Sequence, residues 1–154
     1  MKEKLDDADL QILRYLQADG RMTNADLARK IGLSPPSMLQ RVRKLEEAGF
    51  VRGYTAELNP EALGYHLLVV AMVSLSLHQE GSIEQFRNAA MAVPEILEIL
   101  HISGEYDFML KIVAKDMRDY ERIVTTHISS IKAVGKINSC FVLGVNKHGT
   151  TLPL

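Results

Sequence analysis

The sequence predicts an α+β chain in two parts: an N-terminal helix-turn-helix domain of winged-helix-like type, then a C-terminal ferredoxin-like βαββαβ sandwich. Three observations predict it. Residues 23–49 hold two short amphipathic helices joined by a glycine turn, a double proline marks the start of the second, and beyond residue 66 the apolar periods run strand, helix, strand, strand, helix, strand. The implied divisions are 1–53 for the helix-turn-helix domain, 54–65 for a connecting strand and linker, and 66–154 for the sandwich.

Taking the elements in order, Asp6 or Asp7 caps a helix running to about Ala18, with Leu10, Leu13 and Leu16 at helical spacing, Ile12 beside them and Gly20 after its end. Its acidic start complements the helix dipole, so Asp6, Asp7 and Asp9 need no further role. Thr23 caps the next helix, with Asp26 completing an acidic variant of the capping box, and Leu27, Ala28 and Ile31 form its apolar face. Gly32 supplies a left-handed stop, and Leu33 can tuck between the two helices. Ser34 caps the third helix, and Pro35 and Pro36 occupy first-turn positions whose N–H groups have no helical partner.

At about 100° per residue, Met38, Val42 and Leu45 fall on one side of this third helix, while Ser37, Gln40, Arg41 and Lys44 gather on another. A solvated surface helix would show the same polar face. The coincidence of cap, glycine turn, double proline and basic face favours a helix that enters a DNA major groove, where Gln pairs with adenine and Arg with guanine. The candidate DNA-binding residues are Ser34, Pro36, Ser37, Gln40, Arg41 and Lys44. The net charge of −1 hides an asymmetry: six basic and two acidic residues lie between Arg29 and Arg52. That marks a local contact surface rather than a uniformly basic protein.

The stretch FVRGYTAEL, residues 50–58, reads as a short strand anchored by Tyr54 and Leu58, with Arg52 a candidate for the DNA backbone; Asn59-Pro60 breaks it. A long strand follows from His66 to His78. Ser82 and Gln85 form a capping box for a helix carrying Ile83, Phe86, Ala90 and Val93, stopped by Pro94. ILEILHIS and FMLKIVA are strands of a hairpin turned at GEYD. Asp116 opens a second helix with Tyr120, Ile123, Val124, His127 and Ile131 buried, Gly135 closes it, and KINSCFVLGV is the last strand. Both helices then cover one face of an antiparallel sheet. The uncovered face predicts a homodimer, and two reading helices related by a two-fold axis predict a near-palindromic site on double-stranded DNA.

Other chemistries lack their residues. His66, His78, His101, His127 and His148 have no ligand spacing, and no nucleophile cluster, phosphate loop or dinucleotide glycine pattern is present, so no metal, no cofactor and no catalytic residue is expected. His127 reads as core. The single Cys140 excludes an intramolecular disulfide, and mid-strand packing is its expected role. With no secretory signal and no long apolar run, a cytoplasmic protein away from membranes is expected.

The order LDDADLQILRYLQADGRMTNADLARKIGLSPPSMLQRVRKLEEAGFVRGYTAELNPEALGY, followed by SGEYDFML, resembles the leucine-responsive/asparagine-synthesis (Lrp/AsnC) family, the feast/famine regulators, across essentially the whole chain. The resemblance implies a transcriptional regulator that binds DNA through its N-terminal helices, assembles as dimers or higher oligomers such as octamers, and senses an amino acid or related metabolite through its ferredoxin-like domain. It places the effector-binding residues at the Gly-x-x-Asp turn, here Gly104 and Asp107 with Tyr106 between. A carboxylate there can take an amino group, and a glycine turn's N–H groups can take a carboxylate. The same two residues can also be no more than a tight turn and its hydrogen-bonding partner. Two alternatives share the pattern: siroheme decarboxylases, enzymes similar to this family, and an effector-independent architectural DNA binder. The tail GTTLPL is similar to the tails of some members, and no role follows from its residues.

Overall fold

The computed structural model describes residues 4–76, 81–147, 149 and 151–154. Leu77 and His78, at the end of the long strand expected from His66, lie outside them. The chain forms two compact units, the first ending at Glu57 but also including Lys147–Leu154, the second spanning Leu58–Asn146. By its contacts, the segment from Lys147 to Leu154 groups with the helices, although the sequence division placed it with the sandwich.

The first unit contains α1 (Asp7–Ala18), α2 (Asn24–Ile31) and α3 (Pro35–Glu47). Each start is set by a side chain. Asp6 accepts from Asp9 N–H in a reciprocal capping box, Thr23 accepts from Asp26 N–H, and Ser34 accepts from Ser37 N–H. At α2 the return bond differs from a capping box, because Asp26 takes the Thr23 hydroxyl at 2.7 Å. Gly32 sits at φ 80°, where a side chain would be strained, and ends α2. Ile12, Leu27 and Met38 are wholly buried and, with Leu13, Leu16, Ala28, Val42 and Leu45, make the core; Leu33 packs against it half-buried. No regular strand forms at residues 50–58. Tyr54 instead bonds Glu46 through its hydroxyl at 3.0 Å, and Leu58 is exposed, so neither is an apolar anchor.

The second unit contains β1 (Leu67–Leu75), α4 (Ser82–Met91), β2 (Ile96–His101), β3 (Phe108–Ala114), α5 (Met117–Ile123) and β4 (Val134–Phe141). The four strands are antiparallel in the order β2-β3-β1-β4, as a split βαββαβ requires. One face, carrying Val69, Ala71, Val73, Phe108, Leu110 and Ile112, packs against Phe86, Ala90, Tyr120, Ile123 and Ile128.

Several local expectations fail, each for a physical reason. Gly81 at φ 94° is the N-cap of α4; Ser82 lies inside the helix, buried, and makes no cap bond, so no Ser82–Gln85 box exists. Ile83 is consequently exposed. The helix opened by Asp116 passes into a π turn at Val124–Ile128. The extra residue per turn shifts the buried face to Ile128, leaves His127 half-buried, and places buried Ile131 beyond the helix. Gly135 belongs to β4, not to a helix end. It is needed there because a Cβ would stand 2.9 Å from Ser76 Cβ and 3.0 Å from Ser76 N, beside the bulge at Ser74/Leu75. Cys140 is exposed, since alternation along β4 points it away from the helix-covered face.

Candidate functional site

On α3 the fold separates two kinds of polar residue. Ser34, Pro36, Gln40 and Lys44 are exposed, and Ser37 is half-buried at the first turn. Arg41 is different: its Nη1 donates to Asp6 Oδ2 at 2.8 Å and to Asp9 Oδ1 at 2.7 Å. The two carboxylates that start α1 thus bracket the one α3 arginine assigned to base reading. Asp6 is held below the usual carboxylate range first by the N–H of Asp9, then by Arg41. Arg41 stands between the buried stripe and the polar face of α3, so its side chain runs toward α1.

Arg43, counted in the local charge but not among the candidate residues, is exposed as well. It is fully on the exposed side of α3 and lines a shallow cleft with Thr23, Asn24, Leu39, Glu46 and Tyr54. The helical projection carried this signal: opposite the centroid of Met38, Val42 and Leu45 lie Pro36, Gln40, Arg43 and Lys44. Burial, aided by the nearby Glu46 carboxylate, pushes the Tyr54 phenol up to about 12.

In the second unit, Gly104, Tyr106 and Asp107 do share one turn, between β2 and β3. Gly104 takes φ 118°, a conformation open to glycine. Asp107 Oδ2 accepts from Leu75 N–H at 2.7 Å, and Asp107 N–H donates to Val73 O at 2.9 Å. The carboxylate therefore also fixes the end of β1. Lys136 on β4 lies 5.3 Å from the Tyr106 ring centroid and 3.2 Å from Glu105 Oε1. The Glu105 hydrogen bond, then Tyr106, pushes its ammonium pKa up. Loop, β1 and β4 are thus tied together at a turn offering a carboxylate, an aromatic face and a glycine N–H.

The helix-free face of the sheet carries Leu68, Val70 and Met72 on β1, opposite Val113, Lys111 and Met109 on β3. Leu100 on β2 pairs with Met109 and is 44% exposed. Among the described residues no group of His, Cys, Asp and Glu is arranged to hold a metal ion, and no helix is long and apolar enough to cross a membrane.

Comparison with known proteins fits both halves. Residues 5–52 match the model for a winged helix-turn-helix DNA-binding domain, and residues 68–152 match the Lrp/AsnC ligand binding domain. The chain is 38% identical over 143 residues to the leucine-responsive regulatory protein of Rhizobium meliloti strain 1021, covering 93% of this chain and 92% of that protein. To the leucine-responsive regulatory protein of Escherichia coli K12 it is 37% identical over 148 residues, covering 96% and 90%. Its fold is similar to that of a Neisseria meningitidis transcriptional regulator solved in complex with L-Met, with TM-score 0.93, 36% identity and 97% of each chain covered. An AsnC family transcriptional regulator from Agrobacterium tumefaciens gives TM-score 0.90 at 31% identity, again over 97% of each chain. The chain belongs to the Lrp/AsnC family of transcriptional regulators, with a helix-turn-helix that binds DNA and a ligand-binding domain of ferredoxin-like fold.

Proposed function

We propose that this regulator reads a near-palindromic operator as a homodimer, and that an amino acid bound at the turn of Gly104, Tyr106 and Asp107 alters that reading. The observation that carries the proposal is the apolar, helix-free sheet face of Leu68, Val70, Met72, Met109 and Leu100, which a second copy would cover. A two-fold axis through that face would pair two α3 helices, each offering Ser34, Pro36, Ser37, Gln40 and Lys44, with Arg43 added and Arg41 holding the helix in place. Dimers of this kind can assemble further, to octamers among other sizes.

An amino-acid effector suits the turn chemically. The Asp107 carboxylate is an acceptor for an ammonium group, the glycine turn offers N–H to a carboxylate, and Tyr106 supplies an apolar wall. The complex of the Neisseria relative with L-Met supports that ligand class. Because Asp107 also bonds β1, ligand contact there would act directly on the sheet. Such coupling between sites is typically worth roughly 1–3 kcal/mol.

The test is selection of genomic DNA fragments by the purified protein at near-physiological salt, with and without a pooled set of amino acids. Enrichment of a near-palindromic site that shifts with the pool supports the reading. Enrichment indifferent to the pool leaves an architectural DNA binder, and no enrichment by folded protein refutes operator recognition.

A further inference from the structure

We propose that the Arg14–Gln17 face of α1 is a docking site for extended main chain, filled by residues 152–154. The docking makes the DNA-binding unit a body held by two lengths of chain instead of one. The chain leaves the first unit after Glu57 and rejoins it at Lys147. Gln17 engages Leu152 as a neighbouring strand would. Its Nε2 donates to the Leu152 oxygen at 3.2 Å, and its Oε1 accepts from the Leu152 N–H at 2.7 Å. Two residues on, Arg14 donates from Nε and Nη2 to the Leu154 oxygen at 3.0 and 2.8 Å.

The geometry is internally consistent. Arg14 and Gln17 are three apart on a helix and so present their side chains on one face. Residues 152 and 154 are two apart, and each turns a main-chain group to that face. The register is fixed by Pro153, because a slip of one residue would set Gln17 Oε1 against a residue with no N–H to give. All four bonds read main chain. The Leu152 and Leu154 side chains stay 66% and 42% exposed, so hydrogen bonding rather than apolar burial holds the segment.

α1 carries Ile12, Leu13 and Leu16 into the core of the DNA-binding unit, so anchoring α1 anchors the unit. A unit on one connector samples more positions than a unit closed into a loop by a second. Where two such units must meet two half-sites, a narrower range raises the effective concentration of the second for its site. This consequence rests on the dimeric reading above; the docking itself does not.

Two full-length variants test it: Gln17→Ala, which removes the side-chain partner, and Leu152→Pro, which removes the N–H while leaving α1 untouched. Trypsin cleavage after Lys147, followed by mass spectrometry without DNA, should run roughly tenfold faster in both than in the wild type, the worth of about one net hydrogen bond. Equal rates in all three proteins overturn the docking. On duplexes carrying one or two half-sites, the variants should bind the two-site duplex several-fold more weakly and the one-site duplex unchanged. Faster cleavage with unaltered two-site binding overturns the two-point tether. If the wild type binds neither duplex, DNA reading has failed while the cleavage result still decides the docking.

Discussion

Replacing Arg41 with Ala discriminates between a residue that reads a base and one that holds the reading helix in place. The bracket brings the guanidinium to 2.8 Å from Asp6 and 2.7 Å from Asp9, with the side chains of Arg41 and Asp9 only 33% and 17% exposed. The gross attraction at such distances is roughly 6 kcal/mol in surroundings of intermediate polarity. Desolvation, side-chain entropy and screening cut this to about 1 kcal/mol for the partly sheltered pair with Asp9. In a unit of this size that loss lowers its thermal transition by roughly 4–8 °C. The Asp9→Asn variant should show a similar drop, and the double variant less than the sum, because both remove the same contact.

The DNA measurement follows from the same geometry. If Arg41 positions α3, Arg41→Ala weakens operator and scrambled duplexes by a similar factor, whereas Gln40→Ala weakens the operator selectively. Fluorescence anisotropy on both duplexes over a salt series measures this, the salt slope separating lost phosphate attraction from lost base contact. An Arg41→Ala protein with an unchanged thermal transition and a collapsed operator preference would falsify the positioning role. It would mean that DNA draws the guanidinium out of the bracket to a base edge.

Further outcomes follow from the other contacts. Asp107→Asn keeps an acceptor for Leu75 N–H while removing the charge, so it should lose the amino-acid response with basal DNA binding intact; Asp107→Ala should additionally lower stability by about 1–3 kcal/mol. Denaturant titration and effector-dependent anisotropy separate the two variants, and an Asn variant with full effector response removes the charge from the recognition. Gly135→Ala should cost about 1–3 kcal/mol, since the new methyl meets Ser76 backbone that cannot rotate away; an unchanged denaturation midpoint would show that β4 yields there. Below the ordinary carboxylate value of 3.8, stability should fall as Asp6, Asp26 and Asp119 take up protons, because each is held low in the folded state. Their contribution is complete above 3.8 and is lost as pH drops through the lower folded values; denaturation midpoints across that range check it. Tyr54 should form phenolate near pH 12, a late step that Tyr54→Phe deletes from the ultraviolet titration.

What the sequence makes legible here is what short-range chemistry decides. Thr23, Gly32 and Ser34-Pro35-Pro36 determine the bounds of α2 and α3 through groups within four residues of each other, and all three features stand in the structure as read. The sheet order follows from the succession of periods, because a split βαββαβ leaves few ways to pair four strands. The failures have a common origin in partners distant along the chain. Gly135 looks like a helix stop until Ser76, 59 residues earlier, is placed against it. Ser82 looks like a cap until its side chain is turned into the core.

Arg41 belongs to the same class, and its case bears most on function. Its partners lie 35 and 32 residues upstream, in a helix start whose acidic residues read from the sequence only as caps and dipole partners. The acidic start of α1 therefore has two sets of contacts: it caps the supporting helix, and it pairs with the Arg41 guanidinium of α3. Gln17 and Arg14, on the same α1, meet partners 135 and 140 residues away. The supporting helix is thus where the fold joins α3 at one end to the returning chain at the other. On the docking proposed above, a change in that returning chain would reach α3 through α1.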